Sequence, residues 1–373
     1  MKIDEKMTDE AYIILENGRV FEGRFFGAAP DCDIIGELVF TTGMTGYLET
    51  LTDKSYYGQI IVQTFPLIGN YGVIPNDFES DVVSAGAYIV RSWCQDPSNY
   101  RSEGSLDTFL RAKNITGVCG IDTRALTKII RESGVMNGKI TKVKPPQSPD
   151  LSEIRDYKVT NAVASVSVRE IAHFSAVGET KYTVALMDFG MKENIKREFL
   201  ARGCDVTVVP QNCTAAKIAA LAPDGIILSN GPGDPAENVT VIENLREIIK
   251  LGIPIFGICL GHQLLALAAG FRTEKLKYGH RGANQPVMDA ASEKVYVTSQ
   301  NHGYSVVSDT IPATIAEEIF VNVNDKTCEG ISYKSTSAPI FSVQFHPEAC
   351  GGPRDTAFLF DKFTDNMKSH KNK

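Results

Sequence analysis

The chain has 373 residues, of which 43% are hydrophobic and 22% charged. This composition is ordinary for a globular protein, and the length predicts two domains. The formal net charge of −7 and the lack of a concentrated basic face argue against binding to nucleic acid.

The cysteines and the apolar segments argue against a zinc-binding, a secreted or a membrane-spanning protein. The eight cysteines contain no C-x-x-C pair and no zinc-like Cys/His spacing, so we expect reduced cysteines and no metal site. Residues 1–10 carry four acidic side chains and lack the apolar core of a secretory signal. The apolar window 253–271 contains His262 and Gln263, which fits a buried strand and helix better than a membrane span. We expect a cytoplasmic protein without membrane contact.

The first part of the chain, residues 1–145, is rich in short extended segments and glycine turns. Residues 12–15 followed by Asn17-Gly18 predict a β-hairpin, because Asn-Gly favours the positive φ angles of a tight turn. We predict further strands at residues 36–41 and 59–64 and helices at residues 107–113 and 124–133, the second capped near Asp122. The sequence therefore predicts a small β-rich α/β domain at 1–145, followed by a linker or bridge at 146–180.

The second part, residues 181–373, alternates apolar strands with helices. The pattern predicts a mainly parallel sheet with helices on both faces, and such sheets collect their active sites at the carboxyl ends of the strands. We predict strands at residues 182–187, 205–209, 225–228, 253–257, 294–298 and 340–344, and helices at residues 192–201 and 263–269.

A cysteine lies where a strand meets a helix, in residues 257–261, Gly-Ile-Cys-Leu-Gly. This is the cysteine form of the strand–nucleophile–helix elbow, in which glycines allow a tight turn. The helix N-terminus favours a thiolate and can stabilise an oxyanion. A buried structural cysteine is the alternative interpretation. The spacing therefore makes Cys259 the candidate nucleophile.

A nucleophilic thiol needs a base, and the base needs an orienting group. Residues 341–348 end in His346-Pro347-Glu348 after a predicted strand. In an extended segment residues i and i+2 point the same way, and proline restricts the backbone, so we expect His346 and Glu348 to project toward one site. His262 is close to Cys259 in sequence, but we expect its side chain to leave the helix on another face.

At these residues the second part resembles the triad, or class I, glutamine amidotransferases. The whole chain resembles the small, glutamine-hydrolysing subunit family of carbamoyl-phosphate synthase. The resemblance implies that Cys259, His346 and Glu348 form a catalytic triad. It also implies that the N–H groups of Leu260 and of Gly233, in the loop Ser-Asn-Gly-Pro-Gly-Asp-Pro at 229–235, form an oxyanion hole.

The same resemblance supplies the residues expected to bind glutamine. Amide side chains and backbone groups suit an amino-acid head group, which offers both donors and acceptors. Gly43 stands where some relatives have a serine, so only a backbone contact is expected there. Cys350 stands where relatives often have serine, and we expect it to be a bystander. The expected binding residues are Gly43, Gly231, Gly233, Leu260, Gln263, Asn301, Gly303 and Tyr304.

The first part distinguishes carbamoyl-phosphate synthesis from other amidotransferase systems. Its resemblance lies in residues 36–47, 58–60, 66–72, 97–102 and 120–127, and the second part adds 277–287. The resemblance implies a large synthetase subunit that receives ammonia through a tunnel and makes carbamoyl phosphate, for arginine or pyrimidine synthesis. It also implies no cofactor in this chain, with ATP and magnesium on the partner.

Three alternatives stay open at this point. The chain could serve another amidotransferase system, such as anthranilate or guanylate synthesis, although the first part argues against it. It could be a catalytically silent module, against which the intact cysteine, histidine and glutamate count. It could be a cysteine hydrolase acting on another amide or peptide, which substrate profiling would reveal.

Overall fold

The computed structural model describes residues 10–334 and 336–372, so most of the acidic start predicted to lack a signal lies outside the described residues. The chain divides into two compact units between Thr160 and Asn161. Among the described residues, no helix combines the length and apolar character needed to cross a membrane.

The first unit consists of a strand barrel with helices packed on it. The strands are β1 Glu10–Leu15, β2 Val20–Gly27, β3 Ile34–Thr41, β4 Gln59–Gln63, β5 Leu67–Ile68, β6 Ala87–Ile89, β7 Ser92–Trp93, β8 Thr116–Cys119 and β9 Met136–Thr141. The helices are α1 Tyr47–Thr52, α2 Leu106–Ala112, α3 Thr123–Ser133 and α4 Ser152–Asp156, with short 3₁₀ helices at Lys54–Tyr56 and Pro75–Asp77. The barrel closes in the order β1-β2-β8-β6-β4-β3-β9, and β5 pairs separately with β7.

Alternation along the barrel strands builds two apolar cores. Leu38 packs in one core with helix α3, while its neighbour Val39 packs in the other with α1 and α2. Successive strand residues point to opposite faces, so continuous apolar strands serve both cores. The predicted hairpin is confirmed by the antiparallel pairing of β1 with β2. The predicted cap of α3 is confirmed too, since Asp122 accepts a hydrogen bond from the N–H of Ala125 at 3.0 Å.

The second unit is built on one large mixed sheet. Its strands are β10 Ala172–Phe174, β11 Tyr182–Asp188, β12 Cys204–Pro210, β13 Gly225–Leu228, β14 Ile255–Ile258, β15 Thr273–Asp289, β16 Val295–Val306, β17 Ala316–Asn322, β18 Cys328–Tyr333 and β19 Ile340–Val343. Its helices are α5 Ala162–Val166, α6 Glu193–Ala201, α7 Ala215–Ala220, α8 Val239–Ile249, α9 Leu260–Ala268 and α10 Phe358–Lys371, with 3₁₀ helices at Pro235–Glu237 and Ser308–Thr310.

The α/β class predicted from the sequence is confirmed, and the sheet has a parallel centre. Its order is β10-β12-β11-β13-β14-β19-β18-β17-β15-β16. The strands β12, β11, β13, β14 and β19 run parallel to one another, and the edge strand β10 is antiparallel to β12. From β18 to β16 the pairing is antiparallel. Strand–helix alternation could not predict this extension, because its described residues contain no α-helix. Helices α7, α8 and α9 cover one face of the parallel centre, and α6 and α10 cover the other.

The stretch 146–180, predicted as a linker or bridge, is divided between the two units. The side-chain amide of Asn137 donates hydrogen bonds of 2.9 Å to the carbonyls of Ile154 and Tyr157, which fastens α4 to the first unit. Strand β10 pairs with β12 in the second unit. The stretch is therefore held by secondary structure on both sides of the division at residue 160.

Candidate active site

Cys259 occupies a strained turn between β14 and α9. Its φ of 53° and ψ of −104° lie outside the regions that residues with a side chain ordinarily adopt. The N–H of Cys259 donates to the carbonyl of Val343 at 2.8 Å, which fixes the turn on the neighbouring strand β19. This geometry confirms the nucleophile elbow predicted from the sequence.

Glycines let two backbone segments touch at the elbow. A Cβ on Gly261 would lie 2.3 Å from the carbonyl oxygen of Leu228, and one on Gly231 would lie 2.2 Å from that of Phe189. The N–H of Gly261 donates to the carbonyl of Ser229 at 3.0 Å. The glycine-rich loop at 229–235 therefore rests directly against the start of α9, which no larger residue at these positions would allow.

The two predicted oxyanion donors lie on these two segments. Leu260 is the first residue of α9, where a backbone N–H has no acceptor within the helix. Gly233 has a φ of +85°, a conformation that glycine adopts without steric cost. Their roles stay predictions, and their positions are compatible with stabilising an oxyanion beside Cys259.

His346 and Glu348 form a buried pair after β19. Nδ1 of His346 lies 2.6 Å from Oε1 of Glu348. The extended backbone expected for this segment is wrong, because the strand ends at Val343 and the N–H of Ala349 returns to the carbonyl of His346 at 3.3 Å in a turn. Pro347 takes the second position of that turn, which suits its fixed φ. The two side chains meet through the turn, not through alternation along a strand.

The electrostatics of the pair favour charge separation. Burial lowers the pKa of His346 and Lys192 lowers it further, but the negative charge on Glu348 and the Cys259 thiol outweigh both and raise it. Burial raises the pKa of Glu348, but His346 and then Lys192 hold it below its ordinary value. Among the described residues, Nε2 of His346 has no hydrogen-bond partner of regular geometry. Nε2 is therefore available for proton transfer.

Lys192 is a site residue that the sequence did not single out. It directly precedes α6, and its Nζ lies 3.7 Å from Oε1 of Glu348. A lysine before a helix is usually a surface residue, so no sequence signal indicated that this one is buried beside a carboxylate.

His262, the alternative base, lies elsewhere. Its Nδ1 contacts the hydroxyl of Ser342 at 2.8 Å, fully inside the protein. Burial lowers the pKa of His262 to about 3, so this imidazole stays neutral. The prediction that its side chain leaves the helix on another face agrees with this contact.

Segment 301–304 of β16 reaches the nucleophile. Sγ of Cys259 lies 3.8 Å from the carbonyl oxygen of Asn301. The side-chain amide of Gln263 donates to the carbonyl of Tyr304 at 2.8 Å and to Oε1 of Gln344 at 2.9 Å. Because both N–H groups of Gln263 are thus committed, a contact with substrate would fall to its Oε1. Gly303 lies next to the Arg281 guanidinium.

Gly43 and Cys350 each have a hydrogen-bond partner outside the triad. Gly43 belongs to the first unit, where its carbonyl accepts a hydrogen bond from the amide of Gln63 at 2.6 Å, and its role in glutamine binding stays a prediction. Sγ of Cys350 accepts from the amide of Asn194 at 3.0 Å.

One set of buried side chains has the composition of a metal site. Donor atoms of His280, His302 and Glu329 lie within 4.8 Å of one another. Each of the three side chains is also hydrogen-bonded to Gln300. These contacts tie the three side chains to one amide, so the set forms a buried polar network.

Two family models match the chain. Residues 185–366 match "Glutamine amidotransferase class-I", and residues 13–140 match "Carbamoyl-phosphate synthase small chain, CPSase domain". The fold and elbow of the second unit are accordingly those of a class I glutamine amidotransferase.

Curated relatives resemble the chain over almost its full length. It is 48% identical to the carbamoyl phosphate synthase small chain of Clostridium perfringens, over 95% of this chain and 98% of that one. It is 46% identical to the same small chain of Fusobacterium nucleatum, over 96% and 98%. It is 45% identical to the pyrimidine-specific small chain of Halalkalibacterium halodurans, over 97% and 98%. The chain belongs to the carbamoyl phosphate synthase small chain family, and it is a glutamine-hydrolysing amidotransferase subunit.

Proposed function

We propose that this chain hydrolyses the side-chain amide of L-glutamine with Cys259, His346 and Glu348 as its catalytic triad. The observation that carries the proposal is the strained elbow of Cys259 beside a histidine whose Nδ1 is held by a buried glutamate. Glu348 fixes the tautomer of His346 and leaves Nε2 to exchange protons with the reacting groups.

The first half-reaction forms a thioester and releases ammonia. The Cys259 thiolate attacks the side-chain carbonyl carbon of glutamine, and the electron pair of the C=O bond moves to the oxygen. The N–H groups of Leu260 and Gly233 stabilise this oxyanion. His346 donates its Nε2 proton to the amide nitrogen, the C–N bond breaks, and ammonia leaves a γ-glutamyl thioester on Sγ.

The second half-reaction restores the site. Neutral His346 takes a proton from water, and the hydroxide attacks the thioester carbonyl. When the C–S bond breaks, the thiolate returns and glutamate leaves. By analogy with the family, the residues that hold glutamine are Gly43, Gly231, Gly233, Leu260, Gln263, Asn301, Gly303 and Tyr304.

We further propose that the ammonia goes to a large synthetase chain. That partner would make carbamoyl phosphate from bicarbonate and ATP, supplying arginine synthesis, pyrimidine synthesis or both. The family membership supports this part of the proposal. So does the absence from the sequence of a phosphate-cradling G-x-x-x-x-G-K-[ST] motif.

Glutamate release from glutamine tests the proposal. It would be measured for the wild-type chain, Cys259→Ser and the matched control Cys350→Ser, each alone and with the large chain, ATP and bicarbonate. We expect Cys259→Ser to abolish release, Cys350→Ser to retain it, and the large chain to accelerate it. Activity in Cys259→Ser would overturn the nucleophile, and indifference to the large chain would overturn the partner.

A further inference from the structure

A buried polar network joins the antiparallel strands of the second unit. The members share deep burial, except for Asp325, whose side chain is 43% exposed. None of them belongs to the triad. The network comprises His280 on β15, Thr298, Gln300 and His302 on β16, Asn322 at the end of β17, Asp325, and Glu329 on β18.

A chain of close polar contacts runs from Asp325 to the backbone of β16. Oδ2 of Asp325 lies 2.7 Å from Nε2 of His280. Nδ1 of His280 lies 3.0 Å from Oε1 of Gln300, which lies 2.9 Å from Nε2 of His302. Nδ1 of His302 lies 2.7 Å from the carbonyl oxygen of Tyr304. Burial and then the charge on His280 hold the pKa of His302 well below its ordinary value, so this neutral imidazole donates in only one of its two contacts. One end of this chain of contacts is a surface carboxylate, and the other end is the segment beside the nucleophile.

His280 faces two carboxylates in the network, those of Asp325 and Glu329. The amide of Gln300 donates to Oε2 of Glu329 at 2.9 Å, and the amide of Asn322 donates to Oε1 at 3.1 Å. Nδ1 of His280 lies 3.5 Å from the same Oε1. A buried carboxylate needs such partners, because an uncompensated buried charge is strongly destabilising. A charged His280 therefore fits between Asp325 and Glu329.

The backbone ladder alone does not fix this part of β16. The pairing of β15 with β16 shifts register between Lys275 and His280 and again between Gly282 and Gln285. Only three residue pairs, 280–282 with 302–300, connect the strands between these irregularities. The ladder pairs Asn301, His302 and Tyr304 with β15 and leaves out Gly303, so side-chain contacts of the network add to the hold on residues 301–304.

The segment so held reaches the reacting groups. The carbonyl of Asn301 lies 3.8 Å from Sγ of Cys259. The carbonyl of Tyr304 accepts a hydrogen bond from the side-chain amide of Gln263 and lies 2.7 Å from Nδ1 of His302. A small displacement of this segment would change the shape of the glutamine site, while Cys259 stays fixed on its elbow by the hydrogen bond from its N–H to Val343.

We propose that Asp325 and His280 are positioning residues that set the affinity for glutamine by holding Gln300, which in turn contacts His302 within segment 301–304. This inference rests on the proposed glutamine hydrolysis. Among the described residues no network side chain is hydrogen-bonded to a triad side chain, and the link to His346 is its backbone N–H, which donates to the carbonyl of Ser299 at 2.9 Å. Loss of the Asp325–His280 contact should raise KM for glutamine and leave kcat nearly unchanged.

The test compares Asp325→Asn, His280→Asn and their double variant with the control Asp309→Asn, all in the complete complex. Asp309 is an exposed aspartate of the same unit outside the network. We expect KM to rise about tenfold in each network variant, with kcat within about twofold of wild type. Groups that act as one unit are not additive, so the double variant should lose little more than either single one.

A binding readout that does not use turnover completes the test. Iodoacetamide labelling of the Cys259 peptide, followed by mass spectrometry, gives the glutamine concentration that protects half of the thiol. We expect this concentration to rise in step with KM, while labelling without glutamine keeps its wild-type rate. KM and protection unchanged from Asp309→Asn, or additive losses in the double variant, would overturn the positioning role. An inactive wild-type complex would instead overturn the proposed function.

Discussion

Nδ1 of His346 lies 2.6 Å from Oε1 of Glu348, and both side chains are buried. This contact fixes the imidazole by a charge-assisted hydrogen bond, which is stronger than a neutral one. The pair lies in a turn whose second position is Pro347, so the backbone restricts the geometry of the pair. The histidine is thus oriented before glutamine arrives, which is the form of preorganisation that makes proton transfer efficient.

Replacing Glu348 should lower the pKa of His346. In Glu348→Gln the charge that raises this pKa is lost, while burial and Lys192, which lower it, remain. The imidazolium should then lose its proton at a lower pH than in the wild type, and kcat should fall by roughly 10²–10⁴-fold. NMR titration of ¹⁵N-labelled histidine gives the pKa, and an unchanged value would contradict the assigned coupling.

Replacing Lys192 should shift the same pKa in the opposite direction. Nζ of Lys192 lowers the pKa of both His346 and Glu348, so in Lys192→Met both values should rise. A more basic imidazolium is a poorer acid toward the leaving ammonia, so kcat should fall, but by less than in Glu348→Gln. The same titration and steady-state kinetics check this, and a downward shift of the His346 pKa would count against it.

A methyl group at Gly261 should disturb the elbow. A Cβ there would lie 2.3 Å from the carbonyl oxygen of Leu228, a backbone atom that cannot move aside cheaply. We expect Gly261→Ala to reduce the free energy of unfolding by about 1–3 kcal/mol and to impair glutamine hydrolysis. Gly104→Ala is the matched control, because a Cβ at Gly104 has no neighbour within 4 Å. Urea unfolding and glutamate release compare the two, and equal behaviour would contradict the steric argument.

The network should make stability depend on pH. Burial lowers the pKa of His280, but Asp325 and Glu329 raise it from 6.5 to about 9. The contribution of charged His280 to the free energy of unfolding is therefore complete below pH 6.5 and is lost as the pH rises through 9. Burial raises the pKa of Asp325, but His280 holds it below its ordinary value of 3.8. Its contribution is therefore complete above that value and is lost as the pH falls through the lowered pKa.

These two pH ranges predict the pH at which Asp325→Asn lowers the free energy of unfolding most. The loss of unfolding free energy relative to wild type should be larger at pH 6 than at pH 9.5, since His280 is already neutral at the higher pH. Thermal or urea unfolding at both values measures the difference, with Asp309→Asn as the pH-independent control. A constant or growing loss toward pH 9.5 would show that the pair does not carry opposite charges in the folded protein.

The sequence by itself determined the α/β class and the elements that position the nucleophile. The alternation of apolar strands and helices placed Cys259 between β14 and α9. A tight strand–helix turn needs glycines, and these can be read directly in the sequence. The hairpin at Asn17-Gly18 and the cap at Asp122 were predictable for the same reason: local backbone conformations depend on nearby residues.

The tertiary structure decided what depends on residues far apart in the chain. The described residues of the antiparallel extension contain no α-helix between its strands, so strand–helix alternation did not predict its pairing. Lys192 meets Glu348 across 156 positions, and Asp325 meets His280 across 45. These contacts form only when tertiary packing brings opposite charges together. The neighbours of each residue in the sequence do not reveal its partner.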